Sequence, residues 1–277
     1  MCFVWRVGRY SKQQTRTAMT ALDEYPERGD FAPISAQSAR ALAVSMDESG
    51  FGVLNDVVSA SVLAKLRRAV SELIEQDGFK YFAFNGAAWC VNTCLGPLFD
   101  DVELLALLRQ LYMLKMGVSP PSDRILPVMR VLAGEQGRRH SCNFHYDSYV
   151  VSILLPVLIP CDPGEPPGHL VMFPNLRNAR RSSVVNILEK LLIEKLLAPV
   201  WRLAFVRKWL SAKVVTLTPG NLYFFWGMRS LHANQACAPS RVRCTVLLHF
   251  GDPHERSMFK GLSHRLHVMR LRRMTRG

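Results

Sequence analysis

The chain has 277 residues, of which 49% are hydrophobic and 21% are charged, and its formal net charge is +13. This composition supplies enough apolar surface for a sizeable core, which excludes general disorder. No apolar run reaches the roughly 20 residues that a membrane-spanning helix needs. The seven cysteines include no C-x-x-C pair and the N-terminus has no apolar segment of signal-peptide length, so a cytoplasmic protein with reduced thiols is expected.

The length of the chain and the order of its predicted elements favour one large domain. We expect an extension over residues 1–34, one domain over 35–252 and a basic tail over 253–277. Within the domain, helices come first and a β core occupies about 124–252, interrupted by a helical insertion at 178–212. The fold class is therefore mainly β with flanking helices.

The N-terminal part of the domain has the apolar spacing of helices. Helices are predicted over 35–49, 59–77 and 100–116, with a short strand and turn in "GFGVLNDVV" after the first. Ser59 or Ser61 is expected to cap the second helix, because a serine hydroxyl can accept a hydrogen bond from a free N–H of the first turn.

Short β-type runs broken by Gly, Pro and Asn follow from about residue 124. Strands are predicted in "RILPVMRVLAG", "YVVSILLPVLI", "HLVMFP", "KVVTLTP", "NLYFFWG" and "RVRCTVLLHFGD". Several short strands separated by turn signals indicate a sandwich or barrel, here an antiparallel double-layer roll with helices packed on one side.

The insertion at 178–212 is cationic and amphipathic. Residues 176–213 hold nine Lys/Arg and two Glu, and residues 254–277 hold seven Lys/Arg and one Glu, so these two segments carry the excess charge. Two helical stretches are expected, separated at Pro199. Three roles remain open: a lid over the site, contact with an anionic membrane or carrier, and packing on the barrel.

The stretch "NFHYDSYVV" places His145 and Asp147 one residue apart. Alternate residues of an extended strand point the same way, so both side chains can converge on one ion. Two histidines and one carboxylate form the ligand set of non-haem iron(II) oxygenases, and His232, after the predicted strand "NLYFFWG", offers the third ligand. Arg243 follows His232 on the last predicted strand, with Arg241 and Thr245 on the same face.

These motifs resemble the iron(II)/2-oxoglutarate-dependent dioxygenases, and are most similar to the phytanoyl-CoA dioxygenase-like branch. The resemblance rests on H-x-D, a distal His after "PGNLYFFWG", Arg at plus eleven, the opening "ESGFGVLNDVVSASVLAKLRRAV" and "GHLVMFPN". It implies a double-stranded β-helix (jelly-roll, cupin-like) core, with Fe(II) as cofactor and 2-oxoglutarate and O2 as co-substrates. The chain departs from the family's pattern at Asn175, which follows Pro174, at Asn221, which follows Gly220, and in its long insertion.

The resemblance also implies roles for individual residues. His145, Asp147 and His232 are the expected iron ligands, and Arg243 is the expected anchor of the far 2-oxoglutarate carboxylate, with Arg241 as the fallback. Asn143 and Tyr223 are candidates for hydrogen bonds to 2-oxoglutarate, and Asn92, Tyr149 and Trp226 are candidates to face the substrate. For each of these five, a structural role is the alternative.

The expected reaction oxidises an unactivated C–H bond of a small, lipophilic or acyl-type metabolite, while 2-oxoglutarate becomes succinate and CO2. Asp147 favours hydroxylation over halogenation, because halogenating relatives have a small residue there. Two alternatives are a non-catalytic β-fold protein that binds an anionic membrane or nucleic acid, and a nucleic-acid or protein demethylase. Nucleic acid is not expected, because the strands lack the aromatic and basic interleaving of single-strand binders.

Overall fold

A computed structural model describes residues 30–90, 93–160, 164–165, 167–180, 182–193, 200–201 and 211–255. The predicted extension up to residue 29, most of the basic tail and most of the second helical stretch of the insertion lie outside these residues. The chain packs against the domain from its first described residue, because Ser59 Oγ donates to Asp30 Oδ1 (3.0 Å) and Ile34 is buried in the core. The predicted domain boundaries stay predictions.

The helices begin and end where local capping allows. The three helices predicted in the N-terminal part are present, and Ser59 caps the second, accepting a hydrogen bond from Val62 N. The third ends at Gly117, whose φ of +71° is the left-handed conformation that glycine adopts most easily. The helices are α1 (Ala39–Glu48), α2 (Ala60–Asp77), α3 (Gly96–Phe99), α4 (Val102–Met116), α5 (Gly134–Arg139) and α6 (Ser183–Leu191).

Two antiparallel sheets form the β core of the described residues. The larger sheet has the strand order β1-β7-β4-β9-β3-β2, and the smaller has the order β6-β5-β8. The strands are β1 (Gly52–Leu54), β2 (Phe82–Asn85), β3 (Ile125–Leu132), β4 (Val151–Leu158), β5 (Leu170–Phe173), β6 (Lys213–Val215), β7 (Leu222–Trp226), β8 (Leu231–Asn234) and β9 (Arg243–Phe250). All six strands predicted after residue 124 are present. The short strands β2 and β8 and the short helices α3 and α5 were not predicted, because four to six residues with glycine or polar ends carry little periodicity.

Alternation along the strands divides the core into layers. On β7, Phe224 and Trp226 pack against the helices on the outer face of the larger sheet, whereas Tyr223 and Phe225 point inward between the two sheets. A third cluster covers the outer face of the smaller sheet, where Trp201 of the insertion packs against Phe173 with ring centroids 5.4 Å apart. Functional side chains between the sheets must therefore occupy the inward positions.

The described part of the insertion is attached to the barrel by charged contacts. The buried Arg177 donates to Glu189 Oε2 (2.8 Å) and to Asn186 Oδ1 (2.8 Å) on α6, and its guanidinium lies 3.9 Å from the centroid of the Tyr146 ring. Together with the burial of Trp201, these contacts support packing on the barrel as one role of the insertion. Within the described residues, no helix combines the length and the hydropathy needed to span a membrane.

Candidate metal centre

A backbone bridge between two sequence-distant segments holds His145 and His232 side by side. His145 N donates to His232 O (3.0 Å) and His232 N donates to His145 O (3.1 Å), so the two residues face each other as an antiparallel pair at the end of the smaller sheet. Directly opposite residues in such a pair project from the same face. The imidazole centroids are accordingly 4.5 Å apart.

Asp147 completes the cluster from the loop before β4. Its N–H donates to Gly227 O (2.9 Å), which places the carboxylate 3.7 Å from His145 Nε2 and 3.5 Å from His232 Nε2. Ligand atoms of the three residues lie within 4.8 Å of one another. The structure thus brings together all three predicted metal ligands.

The hydrogen bonds of the two imidazoles orient them for metal binding. His145 Nδ1 lies 2.9 Å from Asn143 O, and His232 Nδ1 lies 2.9 Å from Ser230 O. A carbonyl oxygen can only accept, so Nδ1 carries the proton in both rings and Nε2 presents a lone pair. The buried Nε2 of His232 has no hydrogen-bond partner among the described residues, which is the state expected of an atom that ligates a metal.

The electrostatics keep His145 and Asp147 in their ligating forms. Burial, reinforced by the neighbouring His232, lowers the pKa of His145 to about 3, so this imidazole stays neutral. Burial of Asp147 raises its pKa, but His249, His232, His145 and the Ser152 hydrogen bond outweigh burial and lower the pKa overall. Metal binding requires neutral imidazoles and an ionised carboxylate, so the site fits a divalent transition metal.

A second layer of side chains supports Asp147. Ser152 Oγ donates to Asp147 Oδ2 (2.6 Å) and lies 3.1 Å from His249 Nδ1. Because the hydroxyl proton is directed to the carboxylate, His249 Nδ1 is the donor in the second contact. Tyr149 stacks on His249 with ring centroids 5.2 Å apart. Gly227 leaves the necessary space, since a Cβ there would lie 2.2 Å from Ser152 Oγ.

Arg243 is buried between the two sheets with 3% of its surface exposed. Its Nε donates to Gly168 O (2.6 Å), before β5 of the smaller sheet, and its Nη1 donates to Thr245 Oγ1 (3.3 Å) on β9. Burial lowers the pKa of Arg243 to about 10, so the guanidinium remains charged at neutral pH. Within the described residues no carboxylate pairs with it, which leaves a buried cation able to receive an anion.

The other predicted site residues have different positions. Arg241 lies at the surface and pairs with Glu165, so the fallback anchor is not brought between the sheets. Tyr223 lies between the sheets, and its hydroxyl accepts a hydrogen bond from Thr218 N (2.8 Å). The Asn143 carbonyl contacts His145, as described above. Asn92 lies outside the described residues.

Trp226 is not brought to the site. Its ring is fully buried on the outer face of β7, where Nε1 donates to Asp47 Oδ1 (2.9 Å) and Lys115 lies over the ring. The correction follows from strand alternation, which directs Phe225 inward and Trp226 toward the helices. Phe225 is the aromatic residue that contacts the site, with its ring centroid 4.9 Å from that of His232.

Ser152 and His249 are site residues that sequence reasoning missed. A signal for both exists in the strand pattern, because Ser152 interrupts the apolar run of β4 and His249 shares the inward face of β9 with Arg243 and Thr245. Pairing of Ser152 with His249 across β4 and β9 brings them together. The sequence of either strand alone does not predict which residues pair across the two strands.

Two solved structures resemble this fold. A prolyl 4-hydroxylase from Phytophthora capsici has a TM-score of 0.53 at 16% identity, with 83% of this chain and 71% of that chain covered. The non-heme alpha ketoglutarate dependent carbocyclase SnoK from nogalamycin biosynthesis has a TM-score of 0.52 at 16% identity, with 80% and 87% covered. No protein-family model matches the sequence, and no curated protein matches it.

At this level of identity the likeness shows the fold alone. The chain has a double-stranded β-helix core with flanking helices, the fold of these two oxygenases, and the fold predicted from the sequence is confirmed. The class defined by fold and geometry is a double-stranded β-helix protein with a two-histidine, one-carboxylate metal site.

Proposed function

We propose that the protein is an iron(II)- and 2-oxoglutarate-dependent oxygenase of the phytanoyl-CoA dioxygenase-like branch, acting in the cytoplasm. The observation that carries the proposal is the convergence of His145, Asp147 and His232, with both Nε2 atoms directed toward the carboxylate. This ligand set leaves three positions open on the metal, which suits a co-substrate and oxygen together. The substrate we propose is a small lipophilic or acyl-type metabolite, oxidised at an unactivated C–H bond.

The three ligands would hold Fe(II), which when bound supplies the oxygen chemistry. The protein contributes the orientation of each ligand: the Asn143 and Ser230 carbonyls fix the two imidazoles, and Ser152 fixes the carboxylate. Such outer contacts typically decide how strongly a metal is bound. Apolar side chains pack between the sheets beside the site, and the Phe225 ring contacts the ring of His232.

Arg243 is the proposed anchor of 2-oxoglutarate. Its guanidinium is positioned by Gly168 O and Thr245, and a carboxylate from a ligand would compensate the buried charge. Arginine forms bidentate contacts with carboxylates, which suits the far end of a five-carbon diacid. Gly168 is required at this place, because a Cβ would lie 2.7 Å from Arg243 Cδ.

The experiment is a binding titration of 2-oxoglutarate to the Fe(II)-loaded chain without oxygen, followed by a succinate assay in air. Arg243→Met should weaken 2-oxoglutarate binding about 100-fold, since two charge-assisted hydrogen bonds are lost. Arg241→Met is the matched control, because Arg241 lies two residues away at the surface and should leave binding unchanged. Wild-type protein that binds no 2-oxoglutarate, or equal effects of the two variants, would refute the proposal.

We further propose that α6 contacts an anionic membrane surface. Val184, Val185, Leu188 and Leu192 are all exposed on or directly after this helix, and the surrounding segment is basic. Flotation with anionic and neutral vesicles tests the contact in the intact chain. Leu188→Ser should reduce flotation with anionic vesicles, and an intact protein that ignores them would rule the contact out.

A further inference from the structure

A second arginine, Arg130, projects between the two sheets close to the site. On β3, Leu126 and Val128 pack in the inner layer while Met129 and Val131 face the helices, so alternation directs Arg130 inward. Arg130 pairs with Thr245 in the register of β3 and β9. Thr245 is the residue that accepts a hydrogen bond from Arg243, so one threonine lies between the two arginines.

The positive charge of Arg130 acts both on His145 in the metal site and on Arg243, the proposed anchor. Burial is the main cause of the lowered pKa of His145 and of Arg243, and the charge of Arg130 lowers both further. Arg130 is therefore close to a metal ligand and to the proposed anchor at the same time. This position suits a group that contacts a molecule bound between His145 and Arg243.

Arg130 is partly buried, yet no carboxylate or hydrogen-bond acceptor pairs with it among the described residues. Three other arginines in the described part of the chain do have acidic partners: Arg177 and Arg180 pair with Glu189, and Arg241 pairs with Glu165. A cation removed from water without an anion is unfavourable. The charges of Arg130 and Arg243 also repel each other. Among the described residues, no acidic side chain forms an ion pair with either arginine.

A stacked pair of aromatic rings lies beside Arg130. The rings of Tyr81 and His140 stack with centroids 3.9 Å apart and an interplanar angle of 19°. Burial raises the pKa of Tyr81 and lowers the pKa of His140, and the positive charge of Arg130 acts to lower both pKa values. Tyr81 immediately precedes β2, whose Ala83 pairs with Arg130. A guanidinium next to stacked rings suits an organic anion whose carbon skeleton packs on the rings.

We propose that Arg130 binds an oxyanion of the organic substrate, a carboxylate or a phosphoryl group, while Arg243 binds 2-oxoglutarate. This assignment rests on the proposed function, and it narrows the substrate class to organic anions. The two unpaired cations then receive one anionic group each. The Tyr81 and His140 rings contact the part of the substrate next to its anionic group.

The test measures binding to the full chain loaded with Zn(II), so that no turnover is required. The probes are 3-phenylpropanoate, its primary amide, and phenyl phosphate, each titrated calorimetrically with and without saturating 2-oxoglutarate. We expect the wild type to bind at least one of the two anions at least tenfold more tightly than the amide, in both conditions. The relative affinities of the carboxylate and the phosphate ester then identify the oxyanion, and preference for either supports the proposal.

Arg130→Met should remove the preference for the anion, leave the affinity for the amide unchanged and keep the dissociation constant of 2-oxoglutarate within about threefold. Arg130→Lys, which keeps the charge, should retain part of the preference and guards against a folding defect in the first variant. Arg139→Met is the matched control, because Arg139 is an exposed arginine on nearby α5.

Two results would overturn the inference: an anion preference that survives Arg130→Met or is absent from the wild type, or a loss of 2-oxoglutarate binding as large as that of Arg243→Met. The second result would show that Arg130 binds the co-substrate instead. Failure of the proposed function is distinct, because it appears as absence of 2-oxoglutarate binding in the wild type.

Discussion

Replacement of Ser152 by alanine tests whether the layer behind Asp147 controls the metal site. The Ser152 hydroxyl is fully buried and donates to Asp147 Oδ2 at 2.6 Å. A hydrogen bond to a charged acceptor contributes about 1.5–3 kcal/mol. Loss of an outer contact to a metal ligand typically lowers metal affinity about 10- to 100-fold, and a factor of ten corresponds to about 1.4 kcal/mol. The two estimates agree, so we expect Ser152→Ala to weaken Fe(II) binding by 10- to 100-fold.

The assay is a competition titration of Fe(II) against a chromophoric chelator, without oxygen, together with urea unfolding of the metal-free chain. Ser230→Ala is the matched control. Ser230 is equally buried, and its hydroxyl accepts from Asn175 N (3.2 Å), while the contact to His232 comes from its backbone carbonyl. We expect Ser230→Ala to change the free energy of unfolding but not the metal affinity. The reasoning fails if both variants bind Fe(II) as the wild type does, or if both lose affinity alike.

Three further predictions concern the metal site and the insertion. Gly227→Ala should lower Fe(II) affinity at least tenfold in the same titration, because its Cβ would lie 2.6 Å from Asp147 Oδ2; wild-type affinity would show that the carboxylate moves freely. Burial and the neighbouring His232 lower the pKa of His145 from its ordinary value of 6.5 to about 3 in the folded chain. As the pH falls below 6.5, the unfolded chain therefore binds a proton at this residue that the folded chain does not bind, and the free energy of unfolding decreases. In urea titrations without metal, the wild type should therefore lose about 1.4 kcal/mol more than His145→Gln between pH 7.5 and pH 5.5, and equal losses would contradict the shift. Trp201→Ala should lower the free energy of unfolding by about 3 kcal/mol with Fe(II) affinity unchanged, whereas an unaltered stability would argue against packing of the insertion on the barrel.

The metal ligands could be predicted because their chemistry limits the choice of residue types. His145 and Asp147 share one face of an extended segment, and Arg243 falls on the inward face of β9 by simple alternation. The triad is confirmed as a cluster by its geometry. Periodicity also located the long helices and six strands, since each contains enough residues to repeat its pattern.

Contacts across strands could not be predicted in the same way. Trp226 was assigned to the wrong face because a strand of five large apolar residues shows no polar alternation to orient it. His249 and Ser152 were missed because their partnership depends on the register between β4 and β9. Arg130 needs the same register information, since nothing in "RILPVMRVLAG" distinguishes an inward arginine from a surface one.

The backbone bridge between His145 and His232 sets the spacing of the two imidazoles without help from neighbouring side chains. The spacing of the two imidazoles follows from main-chain hydrogen bonds and from two main-chain carbonyls, none of which depends on the identity of a neighbouring side chain. Residues that face the substrate can therefore be exchanged while the imidazole pair keeps its geometry. For protein engineering, the proposed substrate-contacting residues Tyr81, Arg130 and His140 are the positions at which to change substrate specificity, while His145 and His232 are left unchanged.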